Sequence, residues 1–414
     1  MWRQNFLLSE WLVLAVLIAA LLSQFTLALV NAHLFSTSAT IVSAYDGLIV
    51  CAAIGLAFLA KRKLTAIIVT AILFNAYLLF LFGGEFDPKS IRDVLVISAF
   101  LILGMGHPNP DLSRVAFIAS AILVVSVGLF EWIATDAYSS FVDPQSFYVS
   151  RGALAADSTY WMQEGLRGNS FRLTDRNFLP FLGQQRIGSV FLEPIAMGNY
   201  GVIAVIWGLT RPAYEKWTRF FALAVGAFCV IACDGRFGVS IAIVMALLML
   251  YPRQVVRLTL WVLPFAAIAL LVYHASGYEP PWRDNLIGRL AASGAHIANL
   301  TLSEAFGLTR LHTGVDAGFY YAITAFGILF SLALWIGYCE LPTHTIEATR
   351  YKLLMGVYVI AILCVSGSSL FALKQASLAW FLFGAAIAPI RGSLNLPSPR
   401  QTRSVSAKHS EQPI

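Results

Sequence analysis

The residues best placed for chemistry here are a histidine and a carboxylate four positions apart, His312 and Asp316. On a helix that spacing puts both on one face. A histidine oriented by a carboxylate can take a proton from a hydroxyl near neutral pH. A histidine at a membrane surface also serves as a plain polar anchor. Arg310 lies two residues before it. Another arginine closes the short sequence Asp234-Gly235-Arg236, and Arg186 opens the stretch that runs to Glu193-Pro194. Guanidinium forks match phosphate oxygens in pairs. Asp234 and Arg236 also read as an interfacial charge pair in an ordinary turn. Glu193 stands just inside an apolar run, where a carboxylate is costly unless paired. A structural pair with an arginine and a functional role both fit it. Pro194 marks a helix start.

The elements that must position these groups are apolar helices. Apolar residues make up 58% of the 414-residue chain and charged residues 12%, with a mean hydropathy of +0.73. A soluble domain is roughly a quarter charged, so too few polar residues exist to cover soluble domains of this length. In lipid, backbone polar groups must be satisfied inside helices. No short alternating segments appear, which argues against an outer-membrane barrel. A spanning helix needs roughly 20 apolar residues. Runs lie near 11–30, 41–60, 64–82, 91–105, 115–134, 191–209, 218–233, 237–251, 255–274, 314–339, 351–370 and 375–390. This predicts an all-α bundle of about twelve spans. The first run is too long for a secretory h-region, and no clean cleavage site follows it.

Orientation follows from lysine and arginine in the short connections. Alternate connections hold Lys61, Arg62 and Lys63, then Arg114, then Arg211, Lys216 and Arg219, then Arg253 and Arg257, then Arg350 and Lys352. Arg3 precedes the first run, and Arg391, Arg400, Arg403 and Lys408 follow the last. The other side holds only Lys89, Arg92, Arg236 and Lys374 in its short connections. Both termini are therefore expected in the cytoplasm. Two long loops, near 135–190 and 275–313, fall outside. The membrane-embedded part is expected over 1–390, with a disordered cytoplasmic tail over 391–414.

The first outer loop mixes Arg151, Arg167, Arg172, Arg176 and Arg186 with Tyr138, Phe147, Tyr148, Tyr160 and Trp161. The second holds Arg283, Arg289, Arg310, Tyr278 and Trp282. Aromatic faces with arginines suit a glycan bearing phosphate. Amphipathic helices lying on the bilayer give the same composition. The net charge of +6 follows from basic cytoplasmic loops meeting anionic lipid and does not indicate nucleic acid. Cys51, Cys229, Cys233, Cys339 and Cys364 lie within or beside the apolar runs, so no disulfide framework is expected. No acidic pair stands on the first outer connection, and Glu85-Phe86-Asp87 on the next reads as a turn.

The region 185–330 resembles the O-antigen ligase and polysaccharide polymerase family, including Wzy-type membrane glycan polymerases. The resemblance lies in Phe191-Leu192-Glu193-Pro194 with Gly198-Asn199, then Arg236 at a short outer turn, then the segment from Gly307 through His312, Asp316, Gly318, Tyr320 and Tyr321 to Gly327. Thr313-Gly314 follow the histidine where many members have Asn or Ser. Order, spacing and sidedness carry the likeness. It implies a GT-C-like fold and an inverting, metal-independent glycosyl transfer without cofactor on the periplasmic face of the bacterial inner membrane. The donor would be a glycan on undecaprenyl diphosphate, and the acceptor another lipid-linked repeat unit or lipid A-core. By position, His312 would be the base beside Asp316, and Arg186 and Arg236, joined by Arg289 or Arg310, would hold the diphosphate. Glu193, Asp234, Tyr320 and Tyr321 would position substrate or structure. A chain-length regulator and a flippase of the same pathway would be partners. A transporter is the rival from another class. Its broken helices and internal repeats are not evident in the sequence, and the buried charges are few: Asp46, Glu131 and Glu193.

Overall fold

The computed structural model describes residues 6–84, 86–155, 161–162, 166–167, 170, 185–251, 255–278, 285–309, 317–366 and 369–389. They are almost wholly helical. The order begins α1 (Leu8–Leu21), α2 (Ser23–His33), α3 (Ala39–Gly83), α4 (Pro88–Gly106), α5 (Pro110–Ile133), α6 (Thr135–Val142) and α7 (Pro144–Ser150). A two-residue antiparallel pair follows, β1 (Trp161–Met162) with β2 (Leu166–Arg167). A 3-10 turn, Ser189–Phe191, then leads into α8 (Pro194–Leu209), α9 (Lys216–Ala232), α10 (Arg236–Leu248), α11 (Val256–Ser276), α12 (Leu286–Ala298), α13 (Leu302–Ala305), α14 (Gly318–Phe326), α15 (Ile328–Glu340), α16 (Ile346–Leu363) and α17 (Leu373–Ile387).

Among the described residues, three helices are long and apolar enough to cross a membrane: α3, α5 and α11. The number rises to five if the bent pairs α1/α2 and α14/α15 each count as one span. Large apolar side chains such as Leu59, Leu258 and Tyr273 are exposed on their outer faces, as a lipid-facing surface requires. The molecule is therefore an all-helical protein with several apolar helices compatible with a membrane.

Several starts share one local device. Asp87, Asn109 and Asp143 each accept a hydrogen bond from the second or third amide of the following helix, and a proline takes the first helical position. The side chain satisfies an orphan amide, and the proline has no amide to lose. Asp87 thus caps α4, which accords with the turn expected there; Glu85 lies outside the described residues.

α3 has 45 residues. Straight, it would be about 68 Å long, twice a hydrocarbon core of about 30 Å. Its backbone breaks at Lys61 (φ −140°, ψ 57°). Asp46 pairs with Arg92 near the start of α4, and Ala60 lies against Gly106 at the end of α4. Beyond the break, Asn75 donates to the Phe326 carbonyl of α14. Tyr321 of α14 in turn donates to Asp93, back at the start of α4. The second arm has returned to the end from which the first set out, as the separate runs 41–60 and 64–82 anticipate.

The run expected over 314–339 is not one straight helix. It bends by 111° at Gly327, whose φ of +77° is open to glycine and strained for other residues. α12 fills part of what reads in sequence as the second outer loop. It starts on Asn285, whose side chain accepts from the Gly288 amide.

The core lies where α4 meets α17 and α8 meets α9. Gly104 faces Phe381, and Gly384 faces Leu101, with no room for a Cβ at either. Small residues let helix backbones approach closely where lipid offers no hydrophobic drive. Around these contacts pack Phe100, Phe117, Trp207, Phe381 and Phe383.

Candidate functional site

The loop between Gln185 and Pro194 organises the site, and Glu131 at the end of α5 fixes it. The Glu131 carboxylate is buried. It accepts the Gly188 amide at 3.1 and 3.0 Å and the Ser189 amide at 2.5 Å. Ser189 Oγ donates to the Val124 carbonyl at 2.6 Å, and the Tyr138 hydroxyl donates to the Ser189 carbonyl at 2.9 Å. These bonds hold Ser189 and Leu192 at positive φ, +53° and +57°. A buried carboxylate is tolerable only when donors surround it, and here backbone amides do. Gly188 packs against the Leu192–Glu193 peptide so tightly that a Cβ would sit 2.8 Å from the Glu193 nitrogen.

At one end of this loop Arg186 is buried. Its Nε donates to the Cys233 carbonyl at 2.7 Å, and the Ile187 amide donates to the Ala232 carbonyl at 3.0 Å. The loop is thereby docked on the α9–α10 turn. That turn places Asp234 at φ +47° and makes Arg236 the first residue of α10. Arg186 and the Asp234-Gly235-Arg236 turn are thus brought together.

At the other end is Glu193. It pairs with Lys374 of α17 at 3.1 Å and accepts the Tyr148 hydroxyl at 3.0 Å. Among the described residues a lysine thus pairs with Glu193. Lys374 is buried and also donates to Gln24 Oε1 and to the Phe191 carbonyl, each at 2.8 Å. One ammonium therefore ties α2, α17 and the Gly188–Glu193 turn together.

A further cluster sits at the same end. Arg92 bonds Asp93 through Nε at 3.1 Å and Nη2 at 2.8 Å, and Asp46 at 3.6 Å. Tyr321 donates to Asp93 Oδ2 at 2.6 Å, and Lys89 lies 4.5 Å from the centre of the Tyr321 ring. Arg151 stacks on Tyr148 at 4.2 Å and acts electrostatically on Asp46, as does Lys374. The cations Lys89, Arg92, Arg151 and Lys374 lie among the acids Asp46, Asp87, Asp93 and Glu193, four of each. Arg151 Nε is buried with no hydrogen-bond partner among the described residues.

The remaining expected residues are dispersed or lie beyond description. Tyr320 is buried beside His296, ring centres 5.4 Å apart. Arg289 is exposed on α12. His312, Asp316 and Arg310 lie outside the described residues. Among the described residues, no three His, Cys, Asp or Glu side chains gather as metal ligands. Reading the sequence missed Lys374, Arg92 and Asp93 as parts of a site, while Arg151 and Tyr148 stand among the outer-loop arginines and aromatics it singled out. A signal was present for two of them: Arg92 and Lys374 are among the few basic residues on the short connections assigned to the outside.

Comparison of this chain with protein-family models, with curated proteins and with solved structures finds no match.

Proposed function

We propose that this chain is a multi-pass bacterial inner-membrane glycosyltransferase of the GT-C-like kind. In this reading it polymerises undecaprenyl-diphosphate-linked repeat units into an exopolysaccharide, capsule or O-antigen on the periplasmic face. Counting α3 as two arms and each bent pair as one span, with α4, α5, α8, α9, α10, α11, α16 and α17, twelve spans result, with both termini cytoplasmic. The observation that carries the reading is the docking of Arg186 onto the carbonyl of Cys233. It fixes an arginine-bearing loop to the turn that carries Arg236, at the end of the bundle where charge sidedness puts the outside.

In the proposed reaction the acceptor hydroxyl oxygen attacks the anomeric carbon of the donor. The bond from that carbon to the diphosphate oxygen breaks with inversion. The hydroxyl proton passes to His312, held by Asp316. Arg236, with Arg289 or Arg310, stabilises the departing diphosphate, where fixed positive charge contributes most. Arg186 joins them in holding the diphosphate, its Nε bonded to the Cys233 carbonyl. Glu193, Asp234, Tyr320 and Tyr321 position the surrounding helices and loops.

A ligase that transfers the glycan to lipid A-core uses the same chemistry with another acceptor. A transporter or flippase for lipid-linked glycans is favoured by one specific observation, the 111° break at Gly327 next to the Asp46–Arg92–Asp93 cluster. Deletion in the native bacterium, complemented with Arg236→Ala and His312→Ala variants, separates these readings. The polymerase reading expects single repeat units on the carrier lipid with both variants. A ligase defect leaves long unligated chains instead. Full-length polymer from both variants would refute the site.

A further inference from the structure

Half of the buried polar atoms that lack a partner among the described residues gather at one place, the opposite end of the bundle. They are Arg114 Nε, Trp207 Nε1, Arg211 Nε, Tyr351 Oη and Glu215 Oε2. They come from α5, α8, the α8–α9 connection and α16. Arg211 is the hub. Its guanidinium stacks on Trp207 at 4.6 Å and interacts electrostatically with Glu215, Tyr351 and Arg114. Arg114 is already committed, to Asp111 at 3.1 Å and to Glu215 at 3.3 Å. Among the described residues Arg211 has no such ion pair. Trp207 and Tyr351 are almost wholly buried, so their unmet donors are costly unless something fills them.

Four of the five unmet atoms are donors, and the cation without an ion pair is an arginine. That combination asks for an anion with several acceptor oxygens, which is a phosphate group. The depth is informative too. Tyr214 and Trp217 stand beside the cluster, each more than 80% exposed, as aromatic residues do at the headgroup level of a bilayer. Lys216 and Arg219 follow in the same turn. We propose that Arg211, with Tyr351 and Trp207, binds the phosphate of a membrane-lipid headgroup at the end of the bundle opposite Arg236. This site is independent of the glycosyltransferase reading.

The test uses the full chain purified in detergent and its thermal unfolding midpoint. Phosphatidylglycerol in mixed micelles is the lipid probe, and inorganic phosphate is the soluble one. Phosphatidylglycerol should raise the midpoint of the wild type saturably, and of the control Lys216→Gln equally. Tyr351→Phe deletes only a hydroxyl that has no hydrogen-bond partner among the described residues, so it should unfold like the wild type without lipid. It should bind the lipid about tenfold more weakly, the loss of one hydrogen bond to a charged group. Arg211→Gln should abolish the response. Inorganic phosphate alone producing the same pattern would identify a soluble phosphate as the occupant of the same site. No response to either probe, or an undiminished response in both Tyr351→Phe and Arg211→Gln, would overturn the proposal.

Discussion

Replacing Lys374 with methionine removes one ammonium and keeps most of the side chain's volume. In the folded protein that ammonium bonds Glu193 Oε2 at 3.1 Å, the Phe191 carbonyl at 2.8 Å and Gln24 Oε1 at 2.8 Å. Breaking a fully buried ion pair by removing one partner costs about 3–5 kcal/mol. The Glu193 side chain is 26% exposed, so water reaches it and relieves part of the penalty. Glu193 also keeps the Tyr148 hydroxyl. The expected cost of Lys374→Met is therefore about 2–3 kcal/mol. Glu193→Gln leaves the ammonium its two other acceptors and should cost about 1 kcal/mol. The double variant should cost less than the two singles added, by about 1 kcal/mol or more, because the unpaired charge is gone. Equilibrium unfolding in mixed micelles, followed by far-ultraviolet circular dichroism, measures all three. A Lys374→Met protein within about 0.5 kcal/mol of the wild type, or strictly additive singles, would refute the claim that this pair ties α17 to the Gly188–Glu193 turn.

Other perturbations follow from the same geometry. Glu131→Gln keeps one acceptor oxygen but puts an NH2 donor against the Gly188 amide in place of the second carboxyl oxygen; it should cost about 2 kcal/mol in the same unfolding assay. Gly188→Ala drives a Cβ into the Glu193 backbone and should abolish activity even in protein that still inserts and folds, as read by complementation. Tyr321→Phe removes the 2.6 Å hydrogen bond to Asp93 and should cost about 1–2 kcal/mol in unfolding. Glu304 caps α13, accepting the Thr301 amide at 2.7 Å and the Thr301 hydroxyl at 2.8 Å. These bonds hold its carboxyl below the ordinary glutamate range. Its contribution is present above the unfolded pKa of about 4.3 and is lost as pH falls through the lower folded value. Hydrogen exchange at the Thr301 amide should stay protected at pH 5; opening between pH 5 and 6 would contradict the cap.

Much of the helical layout was legible because lipid leaves the backbone little choice. Apolar runs mark helices whose bounds agree closely with α4, α5, α9 and α11. The Asx-Pro starts are visible as dipeptides. The break at Gly327 was not legible as a bend, because a single glycine in an apolar run signals tolerance as readily as a turn. α12 was hidden by Gly288 and Gly294, which weaken a helical pattern that packing against α11 restores. The charged cluster was hidden for another reason. Glu193 and Lys374 are 181 positions apart, Asp93 and Tyr321 are 228 apart, and no local spacing rule reaches that far. Asp46 looked like an isolated buried charge until Arg92 was placed beside it. Arg186 and Arg236 were linked in sequence only by their sidedness and the family resemblance, and the bond from Arg186 to the Cys233 carbonyl was not legible.

The central claim is that this chain transfers a lipid-linked glycan. The most direct measurement incubates the purified full chain in lipid with an undecaprenyl-diphosphate-linked repeat unit and resolves the products by size. The account predicts a ladder of oligomers with release of undecaprenyl diphosphate, lost in His312→Ala and strongly reduced in Arg236→Ala. A wild-type protein that leaves the repeat unit unchanged but moves it between leaflets of a vesicle would contradict it.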